Sequence, residues 1–340
     1  MHKITLIPGD GIGPSIIEAA VRVIAASGVE IEWDRQLGGM AAVAAFNNPI
    51  PPETLASIRA TRLALKGPLT TPVGGGYRSV NVALRQEFDL YANVRPALSF
   101  EGVNAVQKNV DIVMIRENTE GLYSGVEHFI KAEGINIAAE SVAVITRSGS
   151  EKIIRYAFEY AKHHRRKRVT LVHKANILKC TTGMFLEIGK EIAPGYPEIE
   201  FKDRIIDACA MEMVMNPSAY DVIVTTNLFG DILSDLAAGL VGGLGLTPGA
   251  NIGKHAALFE AVHGSAPDIA GKNIANPTAI ILAGVMMLEH LGEFAAAHRV
   301  DRTVKEVIRE GKCVTPDLNK ESQCGTKEMA EEIVRRMKPE

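Results

Sequence analysis

At 340 residues the chain has room for two domains of roughly 150 residues each. Its 37 basic and 40 acidic residues leave a formal charge of -3, which excludes a surface built to coat nucleic acid. Hydrophobic residues at 46% and charged residues at 23% are ordinary for a folded chain, which excludes disorder and collagen-like repeats. Cys180, Cys209, Cys313 and Cys324 contain no CxxC spacing, so a zinc site or dithiol motif has no support. A reducing compartment is the simpler reading. The longest apolar stretch, Ala279 to Leu288, is half a membrane span and reads as a buried helix, so no membrane partner is expected.

The chain opens on strand-like Ile4 to Ile7, so no signal or transit peptide is expected. The expected location is the cytoplasm, or the mitochondrial matrix for a processed eukaryotic chain. Gly9-Asp10-Gly11-Ile12-Gly13-Pro14 follows. Its spacing is GxGxG, not the GxGxxG of a dinucleotide fingerprint. A tight strand-to-helix turn and a phosphate contact at a helix start both fit it. Ile16, Ile17, Ala20, Val21 and Ile24 then mark one helical face. A second loop runs from Lys66 through Thr70 and Thr71 to Gly74-Gly75-Gly76. It is either a flexible connector or a close backbone approach to an anionic ligand.

Ser79, Asn81, Arg85 and Arg95 come next, and Arg116 ends the buried strand Asp111 to Ile115. Each arginine alone fits a structural ion pair. Together, beside hydroxyl and amide donors, they suit a polycarboxylate. The segment Gly121 to Ile145 breaks the alternation of strands and helices and reads as a β insertion, of the kind found at dimer contacts. Arg165-Arg166-Lys167-Arg168 reads as a solvated turn.

Lys174 follows strand Val169 to Val172, on the edge of a parallel sheet that usually faces ligand. There it is either structural or a proton carrier with a lowered pKa. Tyr123, read alone, is equally open. Val222 to Val224 is another buried strand. Asp231 and Asp235 stand four apart, on one helical face. A divalent cation would offset the repulsion between them, with all-oxygen donors favouring Mg²⁺ or Mn²⁺, and a helix-start aspartate beside an exposed one fits the pair equally well. Asp207, an acid among apolar residues, either completes that site or starts a helix. The alternation of strands and helices predicts an α/β protein with a largely parallel sheet.

These segments together resemble the β-decarboxylating dehydrogenases, the family of isocitrate and isopropylmalate dehydrogenases. The resemblance rests on Pro8 to Pro14, Arg116-Glu117-Asn118-Thr119-Glu120-Gly121, Asn227 to Asp235, Gly242 to Gly245, Glu260 to Lys272 and Ala275 to Thr278. It implies the isopropylmalate-dehydrogenase-like two-domain fold, distinct from the Rossmann fold. Residues 1–98 and 242–340 would form a large domain with the cofactor loops. Residues 99–241 would form a small one, with a β clasp at about 121–146. The resemblance also implies a homodimer whose active sites are shared between subunits.

By the same resemblance, Lys66, Ser79, Asn81, Arg85, Arg95 and Arg116 bind isocitrate, and Tyr123 and Lys174 are the catalytic pair. Asp207, Asp231 and Asp235 hold the metal, with Lys174 and Asp207 reaching in from the other subunit. Ile12, Thr71, Asn176, Glu260 and His263 are implied to contact NAD. So are Gly264, Ala266, Asp268, Ile269 and Asn276.

Ser79 and Asn81 offer hydrogen bonds where isopropylmalate needs an apolar patch, which favours isocitrate. Homoisocitrate and tartrate enzymes, and a non-catalytic regulatory subunit, are the alternatives. NADP-using relatives carry Lys-Tyr where this chain has Asp268-Ile269, and a Tyr and an Arg where it has Pro316 and Lys320. Asp268 repels a 2′-phosphate and accepts from both ribose hydroxyls, so NAD is expected.

Overall fold

The computed structural model describes residues 1–71, 77 and 79–337. The glycine run Gly74 to Gly76 lies outside the described residues. The strands are β1 (His2–Ile7), β2 (Ile31–Arg35), β3 (Leu63–Lys66), β4 (Ala92–Leu98), β5 (Asp111–Glu117) and β6 (Glu127–Ala132). They continue as β7 (Ile135–Ser141), β8 (Arg168–His173), β9 (Glu200–Ile205), β10 (Val222–Thr225), β11 (Pro248–Ile252) and β12 (Ala257–Ala261).

Ten strands form one sheet in the order β2-β1-β3-β12-β11-β4-β5-β10-β8-β9. The outer pairings are parallel, as the alternation of strands and helices predicts. The centre differs, because β12, β11, β4 and β5 pair antiparallel. A four-residue link joins β11 to β12, and Gly253 N–H bonds the Ala256 carbonyl at 2.9 Å to close it. So short a link permits only an antiparallel neighbour. The strands from β2 to β4 in this order come from residues 1–98 and 242–340. Those from β5 to β9 come from residues 99–241.

The helix Gly13–Ala26 buries Ile16, Ile17, Ala20 and Ile24 of the expected face, while Val21 is only partly buried and Val23 takes a place in the core instead. Its approach turn is tight. Gly11 has φ +56°, and a Cβ there would stand 2.0 Å from the Ser265 carbonyl oxygen. The stretch Ala279 to Leu288 lies in the helix Thr278–His290, whose residues are buried on nearly every side. No helix among the described residues is long and apolar enough to cross a membrane.

β6 and β7 form the expected insertion, a separate antiparallel hairpin. Every residue of both strands is exposed, including Phe129, Ile130, Ile135 and Ile137. The basic run at residues 165–168 is more than a solvated turn. Arg166 pairs with Asp111 at 2.6 Å and Asp221 at 3.0 Å, and Arg168 with Glu200 at 2.6 Å, so the run fastens three strand starts together.

Cys313 and Cys324 form a disulfide, while Cys180 and Cys209 stay free. This pairing runs against the reading of a reducing compartment. A separation of 11 residues carries no motif, and only the fold brings the two thiols together. Closing so short a loop restricts the unfolded chain by about 2–3 kcal/mol in the loop-entropy account. Cys313→Ser should therefore unfold at lower denaturant than the native chain, and thiol reductant should lower the native midpoint to match.

Candidate active site

Of the antiparallel strands at the sheet centre, β4, β5 and β12 carry Arg95, Arg116 and Glu260, and the parallel neighbour β3 carries Lys66. Successive side chains on a strand point to opposite faces. On β4, Val94 joins the main core while Asn93 and Arg95 face the other way, and β12 divides Phe259 from Glu260 likewise. On β5, Val113 and Ile115 enter that core and Arg116 faces the site. A cavity of about 220 Å³ on the charged face is lined by Lys66, Ser79, Asn81, Arg85, Arg95, Arg116, Tyr123, Asp231, Glu260, His263 and Gly264. A larger cavity, about 690 Å³, opens on the opposite face and is lined by Val94, Phe259 and Tyr156 among others. It contains none of the expected site residues, so the chemistry belongs to the smaller one.

The site gathers cations that water barely reaches. Arg116 and Lys66 are each 1% exposed. Burying charge is tolerated only with partners. Lys66 Nζ pairs with Glu260 at 2.6 Å and donates to the Gly67 carbonyl at 3.0 Å. Arg85 also approaches Glu260, at 3.7 Å. Arg116 is clamped by the Asn227 side-chain oxygen at 2.7 Å and the Asn227 carbonyl at 2.9 Å, and pairs closely with Asp231. Arg95 donates to Ser234 Oγ at 2.7 Å and lies 3.5 Å from Asp231 and 3.6 Å from Asp235. Gly230 lets the Arg116 stem pass, since a Cβ there would meet Arg116 Cγ at 2.5 Å. Ser79 caps the helix Val80–Glu87, which projects Asn81 and Arg85 into the cavity.

The helix Asn227–Leu240 presents Asp231 and Asp235 one turn apart, as their spacing predicts. Burial raises the Asp231 carboxyl, but Arg116, the Tyr123 hydroxyl and Arg95 outweigh it and hold it below its ordinary value. Asp235 is pushed up, by burial first and by Asp231 as well, and Arg95 only partly offsets this. Tyr123 Oη donates to Asp231 Oδ2 at 2.6 Å, and the Arg116 guanidinium stands 5.3 Å from its ring centre. Burial and the bond to Asp231 raise the phenol pKa, so the hydroxyl keeps its proton.

Lys174 and Asp207 are close partners, with Asp207 in the first turn of the helix Ile206–Met215. Neither lines the cavity of its own chain. Among the described residues, no group of three or more His, Cys, Asp or Glu in one chain is placed to hold a metal. Asn176 is exposed beside them. The cofactor segments do converge. Ile12 N–H donates to the Ser265 carbonyl at 2.9 Å, Thr70 Oγ1 meets Ser265 Oγ at 2.9 Å, and Thr71 is exposed next to it. Ala266 takes φ +39°, Asp268 is exposed, and Ile269 packs on the core. Asn276 Nδ2 donates to Asp317 at 2.9 Å. His263 Nδ1 donates to the Gly264 carbonyl at 3.0 Å, which leaves Nε2 a buried acceptor with no partner. Asn81 Oδ1 is likewise buried and unpaired. Orphaned acceptors in a cleft fit a ligand rich in hydroxyl or amino donors, as a dinucleotide is.

Sequence reasoning passed over Ser234, Asn93, Asn251 and His173. His173 Nδ1 accepts from Ala175 N–H at 3.0 Å, so Nε2 carries the hydrogen donated to Asp203 at 3.0 Å. The imidazole thereby fixes the turn bearing Lys174. Asn227 stood in a motif, but its grip on Arg116 spans 111 residues, beyond any spacing signal.

The isocitrate/isopropylmalate dehydrogenase profile matches residues 3–333, and the chain belongs to that family of decarboxylating dehydrogenases. The crystal structure of isocitrate dehydrogenase from Methylococcus capsulatus is 70% identical, with a TM-score of 0.98 and 100% of each chain covered. The alpha subunit of the probable mitochondrial NAD isocitrate dehydrogenase of Drosophila melanogaster is 50% identical over 95% of this chain and 84% of its own length. A regulatory subunit of the mitochondrial NAD isocitrate dehydrogenase of Dictyostelium discoideum is 47% identical over 99% of this chain and 92% of its own. The fold is therefore the expected one, α/β with an inserted β hairpin.

Burial pushes the Glu260 carboxyl up, but Lys66, Arg85 and the bond from Asn251 outweigh it and hold its pKa at about 2, against an ordinary 4.5. Its stabilisation is complete above pH 4.5 and is lost as pH falls toward 2. Glu260→Gln strands the Lys66 charge and should cost about 3–5 kcal/mol at pH 7. Denaturant titrations should show the gap to the native chain narrowing below pH 4.5.

Proposed function

We propose that the chain oxidises and decarboxylates isocitrate to 2-oxoglutarate and CO₂ with NAD, at a site shared by two copies of itself. The observation that carries this reading is the cavity in which Arg85, Arg95 and Arg116 face Ser79, Asn81, Tyr123 and Asp231. Three guanidiniums match three carboxylates, and polar donors at the third arm disfavour an apolar substrate. Residues 1–98 with 242–340 act as one domain and 99–241 as the other, with the cavity between them.

Asp231 and Asp235 would hold a Mg²⁺ or Mn²⁺ ion together with the partner subunit's Asp207, and Glu260, His263, Asp268 and Asn276 would face NAD. When bound, the ion supplies charge stabilisation at the substrate hydroxyl and enolate oxygens, and the nicotinamide accepts the hydride. Arg85, Arg95 and Arg116 hold the carboxylates so that only the correct one can leave. The partner subunit's Lys174 would pass a proton to the Asp207 it is bonded to and take the hydroxyl proton at Nζ in its place. Tyr123 Oη, which keeps its proton until then, delivers it to the carbon that lost CO₂. His173 keeps Lys174 oriented.

Sharing explains why Lys174 and Asp207 lie outside their own chain's cavity. The exposed apolar hairpin β6–β7 is the surface a second copy would cover. The regulatory alternative has a relative of that name at 47% identity. Against it stand Tyr123, Lys174, Asp207, Asp231 and Asp235, all present with Tyr123 on Asp231 and Lys174 on Asp207.

Initial rates of the purified chain with Mg²⁺ should give kcat/KM on the order of 10⁴ higher for isocitrate than for isopropylmalate. They should also favour NAD, and Asp268→Lys with Ile269→Tyr should move preference toward NADP. No turnover by the folded chain with isocitrate would return the regulatory reading. Tyr123→Phe and Lys174→Met should each be nearly inactive, yet refolding an equal mixture should restore about a quarter of native activity. Half of the dimers formed are mixed, and each mixed dimer has one intact site. A mixture as inactive as its parents would sink the shared site.

A further inference from the structure

A run of buried amides crosses the sheet beneath the site. Asn251 on β11 is 2% exposed and lies between β12 and β4. Its Nδ2 donates to Glu260 Oε1 at 2.7 Å, and its Oδ1 accepts from Asn93 Nδ2 at 2.7 Å. Asn93 Oδ1 in turn accepts from Arg95 Nε at 2.7 Å. Asn118 Nδ2 adds a second donor to Asn251 Oδ1 at 2.9 Å.

Chemistry fixes the direction of every bond. An ionised Glu260 only accepts, so the facing end of Asn251 must be its NH₂. Its carbonyl must then face Asn93, whose NH₂ fills that place and whose own carbonyl meets Arg95. All the donors therefore point toward Glu260, and the amide dipoles align between an anion and a cation. Such chains polarise one another in a dry interior. No alternative flip of either asparagine satisfies both neighbours.

We infer that Asn251 is a positioning residue, which sets the guanidinium plane of Arg95 and the carboxylate of Glu260 at once. This rests on the reading above, in which Arg95 holds isocitrate and Glu260 faces the cofactor. Asn251 touches neither ligand. It makes occupancy on the cofactor side felt at the substrate arginine, because Glu260 and Arg95 can reorient only together. The isostere Asn251→Asp is informative, since it keeps an acceptor toward Asn93 but sets a second carboxyl against Glu260, where the two share one proton or repel, so the Glu260 end alone is changed.

The test compares Asn251→Leu, Asn251→Ser and Asn251→Asp with the native dimer by steady-state kinetics and equilibrium isocitrate binding, with and without NAD. Asn251→Leu should raise the isocitrate KM about tenfold, with a smaller fall in kcat, as loss of Arg95 orientation requires. NAD should tighten isocitrate binding in the native chain and do so less in the variant. Asn93→Leu added to Asn251→Leu should do little further harm, since both break one chain. If the leucine variant does not fold, the smaller serine, which spans only one of the two gaps, should give the same KM rise. Asn251→Asp should keep isocitrate binding without NAD closer to native but lose the NAD effect. An unchanged isocitrate KM and an unchanged NAD effect in a folded variant, with only a lower melting point, would overturn the inference. Absence of native turnover and native isocitrate binding would instead overturn the proposed function.

Discussion

Four buried cations in one cavity are the constraint on which this structure turns. Lys66, Arg85, Arg95 and Arg116 are all at least nine-tenths removed from water. Each would be prohibitively costly alone. The protein answers with Glu260 beside Lys66 and Arg85, and Asp231 and Asp235 beside Arg95 and Arg116. Asn227 and Ser234 take up guanidinium hydrogens that the carboxylates leave over. Such a cluster stays polarised, because the acids it uses for neutrality are also acids a metal ion or a substrate proton can compete for. Stability and binding capacity are the same charges.

The pleat of the central strands lets so polar a site sit against a dry core. Val94 and Arg95, or Phe259 and Glu260, are neighbours in sequence and lie on opposite faces of the sheet. The antiparallel centre matters here. It joins β4 to β5 and β11 to β12, so residues from distant segments stand at adjacent positions on one face. Arg95 stands mid-strand, whereas Lys66, Arg116 and Glu260 lie at or one residue from the C-terminal ends of β3, β5 and β12.

Local features were legible in the sequence and long-range pairings were not. The buried strand ending at Arg116, the turn at Gly9 to Pro14, and the common face of Asp231 and Asp235 follow from periodicity and residue type. Arg95 and Arg116 were readable as candidates because cations beside apolar strands are unusual. Asn93 and Asn251 were not, since a lone asparagine in a strand carries no signal until its partner, 158 residues away, is paired with it. The Cys313–Cys324 bridge and the ion pairs of Arg166 were hidden for the same reason. For the asparagines and Arg166 the missing information was register, which hydrophobic alternation constrains only to odd or even, and for the cysteines it was the path of a loop outside the strands.

What one chain lacks is as instructive as what it holds. Lys174 and Asp207 form a pair just beyond the ends of β8 and β9, away from the cavity that contains every other catalytic candidate. Their charges cancel each other there, so the pair needs no partner for its own stability. A lysine bonded to a carboxylate, partly exposed and held in place by His173, can pass a proton to that carboxylate and take another, but it has no substrate within its own chain. The apolar hairpin β6–β7 is in the converse position. It has no core beneath it and every residue exposed, so folding alone gives it no apolar surface to bury. Two-fold association, as proposed, would answer both deficits in a single step, because a symmetric contact gives each copy what the other lacks. On the proposed reading, a dimer would complete the active site and would not be an accessory to it.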